Sequence, residues 1–254
     1  MPVEADIVAS ALGSVQEHLI AAVPGGWVRR ANGFLSGLTG VALPTLNGVL
    51  PEHVDLDEAE VSAALAEVAR SGVPYCLQLR PGAPEQLATL AASRGMMKGD
   101  PIPLMVLETS DGLEAAQNVD GLRIRRLEPD EAVLHARMAA RGFEMPEEPF
   151  VQLMTPELLR RPGTRCYLGV IGRETVTTSL GVTLGASVGV FNVATPRQHR
   201  GRGFGAAVTA RAVADGLTSG ARWSFLQSST AGYGVYRSIG YAEVERWDCW
   251  VSSL

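Results

Sequence analysis

Short β-branched and apolar segments alternate with longer segments of helical periodicity in the second half of this chain. The strand-like segments span residues 122–127, 166–171, 175–184, 188–194, 222–227 and 241–251. The helical spacing of apolar residues covers residues 128–141, 156–161, 206–215 and 233–239. The resulting order, β-αα-βββ-α-β-α-β, predicts an α/β (α+β) fold in which helices cover a mixed sheet.

The first half carries a related pattern. It predicts a helix over residues 5–22, two or three strands within 27–50, an amphipathic helix over 55–70, a strand over 74–79, a helix over 84–93 and a strand over 103–108. The final helix–strand–helix–Gly–strand order repeats that of the second half. We therefore predict an internal duplication, with domains at residues 1–115 and 121–254 joined by the polar segment 109–120.

Composition narrows the possible classes of protein. The chain has 254 residues, a hydrophobic content of 46% and a mean hydropathy of +0.10, enough for a large packed core. A net charge of −5 argues against a nucleic-acid-binding surface. No apolar run reaches the length of a bilayer span, and we find no metal-ligand spacing of Cys or His. These features predict a soluble, cytoplasmic protein without a metal, in which the three cysteines are core residues; a homo-oligomer is compatible with them.

A basic, glycine-rich turn follows the strand that ends before Pro196. It consists of Arg200-Gly201-Arg202-Gly203-Phe204-Gly205 and leads into a helix at Ala206. Unpaired amides and the positive end of the helix dipole meet at such a point, which predicts a phosphate or pyrophosphate site. The glycines permit positive φ and close approach of an anion. The turn has no Lys, which excludes a P-loop.

This turn resembles the Arg/Gln-x-x-Gly-x-Gly/Ala signature of the GNAT superfamily of acyl-CoA-dependent N-acetyltransferases. The strand end Val193-Ala194-Thr195-Pro196 is similar to the family's fourth strand, and residues 236–241 resemble its Tyr-x-x-x-Gly-aromatic element. The resemblance covers residues 121–254. The first half lacks the glycine turn, since residues 50–54 read Leu-Pro-Glu-His-Val. We expect it to be a degenerate GNAT-like domain that walls the substrate cleft or forms an interface.

The resemblance implies acetyl-CoA as co-substrate. Its pyrophosphate would bind the amides of residues 201–206, and its pantetheine arm would pair with the strand where a bulge separates the fourth strand from the fifth. The implied cofactor-binding residues are Val193, Ala194, Thr195, Arg200, Gly201, Arg202, Gly203, Phe204, Gly205 and Ala206. Tyr236 resembles the general acid that protonates the departing thiolate, because a phenol with a pKa of about 10 is protonated at neutral pH. The alternatives are a solvated turn for the arginines and a core tyrosine for Tyr236.

The general base stays unassigned. Many family members carry an acid on the fourth strand, whereas residues 187–193 contain none. Asn192 can orient a water but cannot usefully accept a proton. Glu144, Glu147 and Glu148 are candidates because their segment usually lines the acceptor site, and each is otherwise a solvated loop acid. Ser228-Ser229-Thr230 is expected to cap the last helix, with a cofactor contact as the alternative.

Two functions follow as hypotheses. The first is an N-acetyltransferase that uses acetyl-CoA on a primary amine of a small molecule or peptide, and the retained Tyr236 favours it. The second is a non-catalytic acyl-CoA-binding sensor or interaction module, which the missing acid favours. Aromatic and acidic residues within 141–150 would suit a cationic, partly apolar amine.

Overall fold

The computed structural model describes residues 3–252. These residues form two compact units, Met105–Ala242 and Val3–Leu104 together with residues 243–252. The helices are α1 Ala5–Ile20, α2 Glu58–Ala69, α3 Glu85–Ser93, α4 Leu113–Gln117, α5 Ala132–Phe143, α6 Glu148–Leu153, α7 Pro156–Arg160, α8 Phe204–Thr218 and α9 Tyr233–Ser238. The strands are β1 Trp27–Ala31, β2 Phe34–Leu38, β3 Gly48–Pro51, β4 Cys76–Leu79, β5 Met97–Lys98, β6 Ile102–Leu107, β7 Leu122–Arg126, β8 Thr164–Ile171, β9 Glu174–Leu184, β10 Ser187–Ala194, β11 Trp223–Gln227 and β12 Ala242–Val251.

The unit Met105–Ala242 contains a mixed sheet in the order β6-β11-β10-β9-β8-β7. Strands β7 to β10 are antiparallel neighbours, whereas β10 and β11 are parallel and are joined by the crossover helix α8. Ser179 donates to the carbonyl of Val208 in α8, and Thr178 contacts His135 in α5. Successive residues of a strand face opposite sides of a sheet, so α8 and α5 cover opposite faces.

The other unit contains the order β1-β2-β3-β4-β12, with β5 also paired to β12. Its β3 and β4 are parallel and are joined by α2, while β12 is antiparallel to β4, with Val251 opposite Cys76. Apolar side chains of α2, α3 and β4, including Leu65 and Leu87, form its core.

The α/β class, with mixed sheets covered by helices, is confirmed. The structure also differs from the sequence analysis at several points. The segment 109–120, which was predicted to be a polar connection, contains α4. Leu113 of α4 is buried in the core with residues of α8, and this burial stabilises a helix in an otherwise polar segment. Helix α6 forms despite Pro149, because a proline in the first turn loses no intrahelical hydrogen bond.

Residues 243–252 belong to the same compact unit as residues 3–104, where residues 248–251 pair with β4. The division into domains at 1–115 and 121–254 stays a prediction. Cys76, Cys166 and Cys249 are buried and free. Among residues 3–252, no helix has both the length and the apolar character needed to cross a bilayer.

Candidate functional site

Strands β10 and β11 are paired over only the first part of their length. Their parallel register runs from Ser187 opposite Trp223 to Gly189 opposite Phe225. Beyond that point a bulge between Phe191 and Ala194 shifts the register of β10 against β9. Bulges bend a strand and increase its twist, so the distal part of β10 departs from regular pairing.

Asn192 occupies the bulge in a left-handed conformation, with φ of 48°. Asparagine adopts this region more readily than most residues with a side chain. On the β11 side, β10 has no register partner in the described chain after Gly189. The backbone of residues 190–194 therefore offers hydrogen-bonding groups to a ligand that lies along it.

A 3₁₀ turn and the glycine-rich turn connect this strand to α8. A single 3₁₀ turn, Arg197–His199, follows β10, and Gly201 and Gly203 then have φ of 76° and 79°. Gly203 is the N-cap of α8 and, having no side chain, makes no capping hydrogen bond. The first amides of a helix have no intrahelical acceptors. Together with the helix dipole, these amides form an anion-binding geometry.

A cleft of about 460 Å³ opens at this helix end. This volume lies within the range of small-molecule sites. Seven of the predicted cofactor-binding residues line it, namely Thr195, Arg200, Gly201, Gly203, Phe204, Gly205 and Ala206. Val193, Ala194 and Arg202 are not in its lining; Val193 packs against the core and Ala194 is buried.

Sequence reasoning missed the opposite wall of the cleft. This wall is formed by Ala231, Gly234, Val235 and Ser238. Ala231 precedes α9, whereas Gly234, Val235 and Ser238 lie within it. Ser238 is four and three residues from the other two, which places these three on one face of the helix, a signal that could have identified them. His199 also lines the cleft; its Nε2 lies 3.0 Å from Glu174 Oε1, and its buried Nδ1 has no partner among the described residues.

The two arginines of the turn have different environments. Arg200 donates to the carbonyl oxygens of Thr195 (3.0 Å) and Gly142 (2.7 Å) and to Oε1 of Glu144 (3.1 Å). Arg202 lies over the ring of Phe204, 4.7 Å from its centroid. Both side chains are exposed, but Arg200 is engaged with the chain itself, whereas Arg202 forms a cation–π contact.

Tyr236 lies in α9 and is buried within the core. Its ring packs edge to face against Tyr241, with 6.0 Å between centroids, and a Cβ at Gly232 would lie 3.0 Å from it. Burial raises the pKa of the Tyr236 phenol well above its ordinary value. The phenol therefore keeps its proton at neutral pH. Tyr236 is not in the lining of the cleft at the turn.

The three candidate acids of the α5–α6 segment are exposed and have partners. Glu144 pairs with Arg200, Glu147 lies 3.5 Å from Arg137, and Glu148 accepts a hydrogen bond from Gln152. The structure thus gives none of them a buried position typical of a tuned catalytic base. No cluster of three or more potential metal ligands occurs in residues 3–252.

The serines before α9 also differ in role from the prediction. Ser229 Oγ accepts from the amide of Gly232, which is the N-cap of α9, at 3.1 Å. The side chain therefore stabilises the turn that precedes the helix, and α9 has no side-chain cap. The predicted cofactor contact of residues 228–230 stays a prediction.

Solved structures share this architecture. A GCN5-related N-acetyltransferase from Kribbella flavida aligns over 100% of this chain and 97% of its own, with a TM-score of 0.72 and 20% identity. A GCN5-related N-acetyltransferase from Sphaerobacter thermophilus aligns over 76% and 65%, with a TM-score of 0.58 and 17% identity. A tandem GNAT protein from the clavulanic acid biosynthesis pathway aligns over 96% and 87%, with a TM-score of 0.55 and 16% identity. No family model and no curated protein matches the sequence. The chain therefore has the fold of the GNAT N-acetyltransferases.

Proposed function

We propose that this protein is an N-acetyltransferase that moves an acetyl group from acetyl-CoA to a primary amine of a small molecule or peptide. One observation carries the proposal: a bulged strand, whose pairing with its parallel neighbour ends at Gly189, is connected through one short turn segment to an uncapped helix start. An anion site and a backbone slot thus adjoin each other. Solved proteins of the same fold that are named N-acetyltransferases support this interpretation.

The residues at the turn fit the shape and charge of acetyl-CoA. The amides of residues 201–206 would hold its diphosphate, because Gly201 and Gly203 turn the backbone at positive φ and leave room for oxygens. The backbone of residues 193–195 would pair with the amides of the pantetheine arm. When bound, acetyl-CoA supplies an activated thioester carbonyl for attack by an amine.

Proton transfer in the proposed reaction depends on the chain's own groups. Tyr236 would donate its phenolic proton to the departing sulfur, and its raised pKa keeps that proton available at neutral pH. The described residues of β10 provide no carboxylate to accept the proton of the amine. A water held by Asn192 would carry it away, with Glu144, Glu147 and Glu148 as candidate acceptors. The base is left open in this proposal.

We also infer that the two halves of the chain derive from one repeated unit. In each unit an antiparallel pair is followed by a parallel pair with a helix between the parallel strands: β2-β3-α2-β4 in one and β9-β10-α8-β11 in the other. Asp57 is the N-cap of α2, and its side chain accepts a hydrogen bond from the amide of Glu60. A carboxylate at that point would repel a phosphate, which supports a degenerate first half with a structural role.

A non-catalytic acyl-CoA sensor is the second candidate, favoured by the absence of an acid from β10. An enzyme would consume acetyl-CoA when an amine is present, whereas a sensor would bind it without consuming it. Release of the free thiol from acetyl-CoA would be measured across a panel of primary amines, with the Tyr236→Phe variant alongside. Amine-dependent release that falls in the variant supports the enzyme. Tight binding without release for any amine supports the sensor, and failure to bind acetyl-CoA contradicts both.

A further inference from the structure

Arg200 joins the ends of α5 and β10 beside the glycine-rich turn of residues 200–205, which we call the anion loop. Its Nε donates to the carbonyl of Thr195, just past the end of β10, and its Nη2 donates to the carbonyl of Gly142 in the last turn of α5. Nη2 also lies 3.1 Å from Oε1 of Glu144. A cation at the C-terminal end of a helix interacts favourably with its dipole. The guanidinium thus holds the ends of α5 and β10 to the loop.

Glu144 has an unusual backbone conformation. It is the C-cap of α5 and adopts the left-handed region, with φ of 57°, which favours glycine. A glutamate is held there only if surrounding contacts compensate. The ion pair with Arg200 supplies such a contact, and this conformation sets the direction of the chain into the segment 143–151.

The end of α5 also packs directly on the end of β10. A Cβ at Gly142 would lie 2.7 Å from Cβ of Ala194 and 2.9 Å from the amide nitrogen of Thr195. The segment 143–151 then begins with Phe143, whose ring stacks on Phe150 with 5.7 Å between centroids. A surface of exposed apolar side chains therefore starts beside the slot, formed by Phe143, Met145 and Val151.

Arg202 provides the contrast within the same turn. It contacts the ring of Phe204 and forms no ion pair in the described part of the chain. Its charge is thus free to act on an anion, whereas that of Arg200 is directed toward the end of α5.

We propose that Arg200 is a positioning residue that couples the anion loop to the segment 143–151 through Glu144 and the carbonyl of Gly142. Binding of an anion at the loop then orders the stacked aromatic pair and assembles the surface that receives an apolar acceptor. The identity of this anion as acetyl-CoA, and of the segment's partner as the amine, rests on the proposed function. The side chain of Arg200 is, on this account, no cofactor ligand.

Hydrogen exchange of the segment 143–151, measured by mass spectrometry with and without acetyl-CoA, tests whether Arg200 couples this segment to the anion loop. Arg200→Gln is expected to raise its exchange rate about tenfold in the free protein, because the guanidinium loses three hydrogen bonds. Glu144→Gln is expected to raise it only about threefold, because both side chains of the lost ion pair are exposed. The double variant should add little to Arg200→Gln, because the contact that Glu144→Gln removes is already lost when Arg200 is replaced. Acetyl-CoA should slow exchange in the wild type and have no effect there in Arg200→Gln.

Arg202→Gln is the matched control, since it removes the same charge from the same turn. It is expected to weaken acetyl-CoA binding in calorimetry while the exchange of segment 143–151 stays at the wild-type rate. Arg200→Gln should raise the exchange of segment 143–151, and it should lower the acetyl-CoA affinity by no more than the factor by which acetyl-CoA slows that exchange in the wild type, because coupling between two sites is reciprocal. Arg200→Lys should restore part of the protection.

Unchanged exchange in both Arg200→Gln and Glu144→Gln overturns the proposal, and so does an Arg200→Gln variant that behaves like Arg202→Gln. If Arg200→Gln fails to fold, the exposed Glu144→Gln decides alone. If the wild type binds no acetyl-CoA, the proposed function fails. The exchange rates of the ligand-free wild type and variants still test whether Arg200 holds the segment 143–151 in place.

Discussion

Arg80 and Glu245 form a bidentate ion pair in the unit that consists of residues 3–104 and 243–252. Nε and Nη2 of Arg80 donate to the two carboxylate oxygens of Glu245 at 2.9 and 2.8 Å. The side chain of Arg80 is 1% exposed, and Trp247, two residues beyond Glu245, is fully buried. The last strand of the chain is therefore fixed to β4 by a buried charge pair as well as by backbone pairing.

Removal of this carboxylate should destabilise the fold strongly. Arg80 also pairs with Asp6, so the loss of Glu245 leaves one carboxylate partner in place. We expect Glu245→Ala to lower the free energy of unfolding by about 2 to 3 kcal/mol, because the buried guanidinium loses its bidentate partner and the indole N–H of Trp247 loses its acceptor. Glu243→Ala is the matched control on the same strand, where the partner Arg246 is exposed, and it should cost at most about 1 kcal/mol. Denaturant unfolding measures both values. Equal costs would contradict a stabilising role for the buried pair.

A negative charge at the N-cap of α8 should prevent cofactor binding. Gly203→Asp places a carboxylate where the diphosphate is proposed to bind, whereas Gly203→Asn has the same size and no charge. Asn also tolerates the φ of 79° found there. Calorimetry with acetyl-CoA should show at least about a tenfold lower affinity for the Asp variant than for the Asn variant, since like charges at contact distance cost more than 1.4 kcal/mol. Equal affinities in two folded variants would show that the anion binds elsewhere.

Loss of the Tyr236 hydroxyl should slow the chemical step. We expect Tyr236→Phe to lower kcat about a hundredfold or more and to leave acetyl-CoA affinity intact, because only a proton donor is removed. Since burial raises the phenol's pKa, the wild type should keep this donor up to and beyond pH of about 10.

Tyr241→Phe is the control for that variant. The hydroxyl of Tyr241 is 2.6 Å from Oγ of Ser224, so its loss should cost about 1 kcal/mol of stability. The chemical step should be unaffected. Full activity in Tyr236→Phe would remove Tyr236 from the mechanism.

His135 should make stability depend on pH. It is fully buried in α5, its Nδ1 contacts Oγ1 of Thr178 at 2.7 Å, and burial lowers its pKa from 6.5 to about 3. Between these values the unfolded chain binds more protons than the folded one, so stability falls as the pH decreases. The slope approaches about 1.4 kcal/mol per pH unit.

His135→Asn keeps a side-chain donor for Thr178 without a titrating ring. Unfolding free energies measured between about pH 6.5 and 5 should therefore decrease less steeply than in the wild type. Measurement near pH 7.5, where the histidine is neutral in both states, gives the baseline cost of the substitution. Parallel pH profiles for the two proteins would contradict the buried neutral histidine.

The sequence predicted local structure more completely than long-range contacts. Periodicity identified α1, α2 and the strands β7 to β10 because apolar spacing directly reflects which face of an element is buried. It did not identify the partner of residues 243–251, since strand pairing depends on register between segments far apart in sequence. The short helix α4 was missed because its burial rests mainly on Leu113.

The candidate site shows the same limit. Glycine spacing pointed to the helix start at Gly203, because a turn with positive φ has a sequence signature. The partners of Arg200 on α5 have none, since they lie 56 and 58 residues away in the chain. The sequence therefore assigned both arginines of the turn one role, while the structure gives them different contacts.

A crystal structure of the protein with acetyl-CoA tests the central claim most directly. We expect the diphosphate within hydrogen-bonding distance of the amides of residues 201–206 and the pantetheine arm along residues 193–195. A thioester bound away from the start of α8, or the absence of acetyl-CoA from crystals soaked at saturating concentration, would contradict the account.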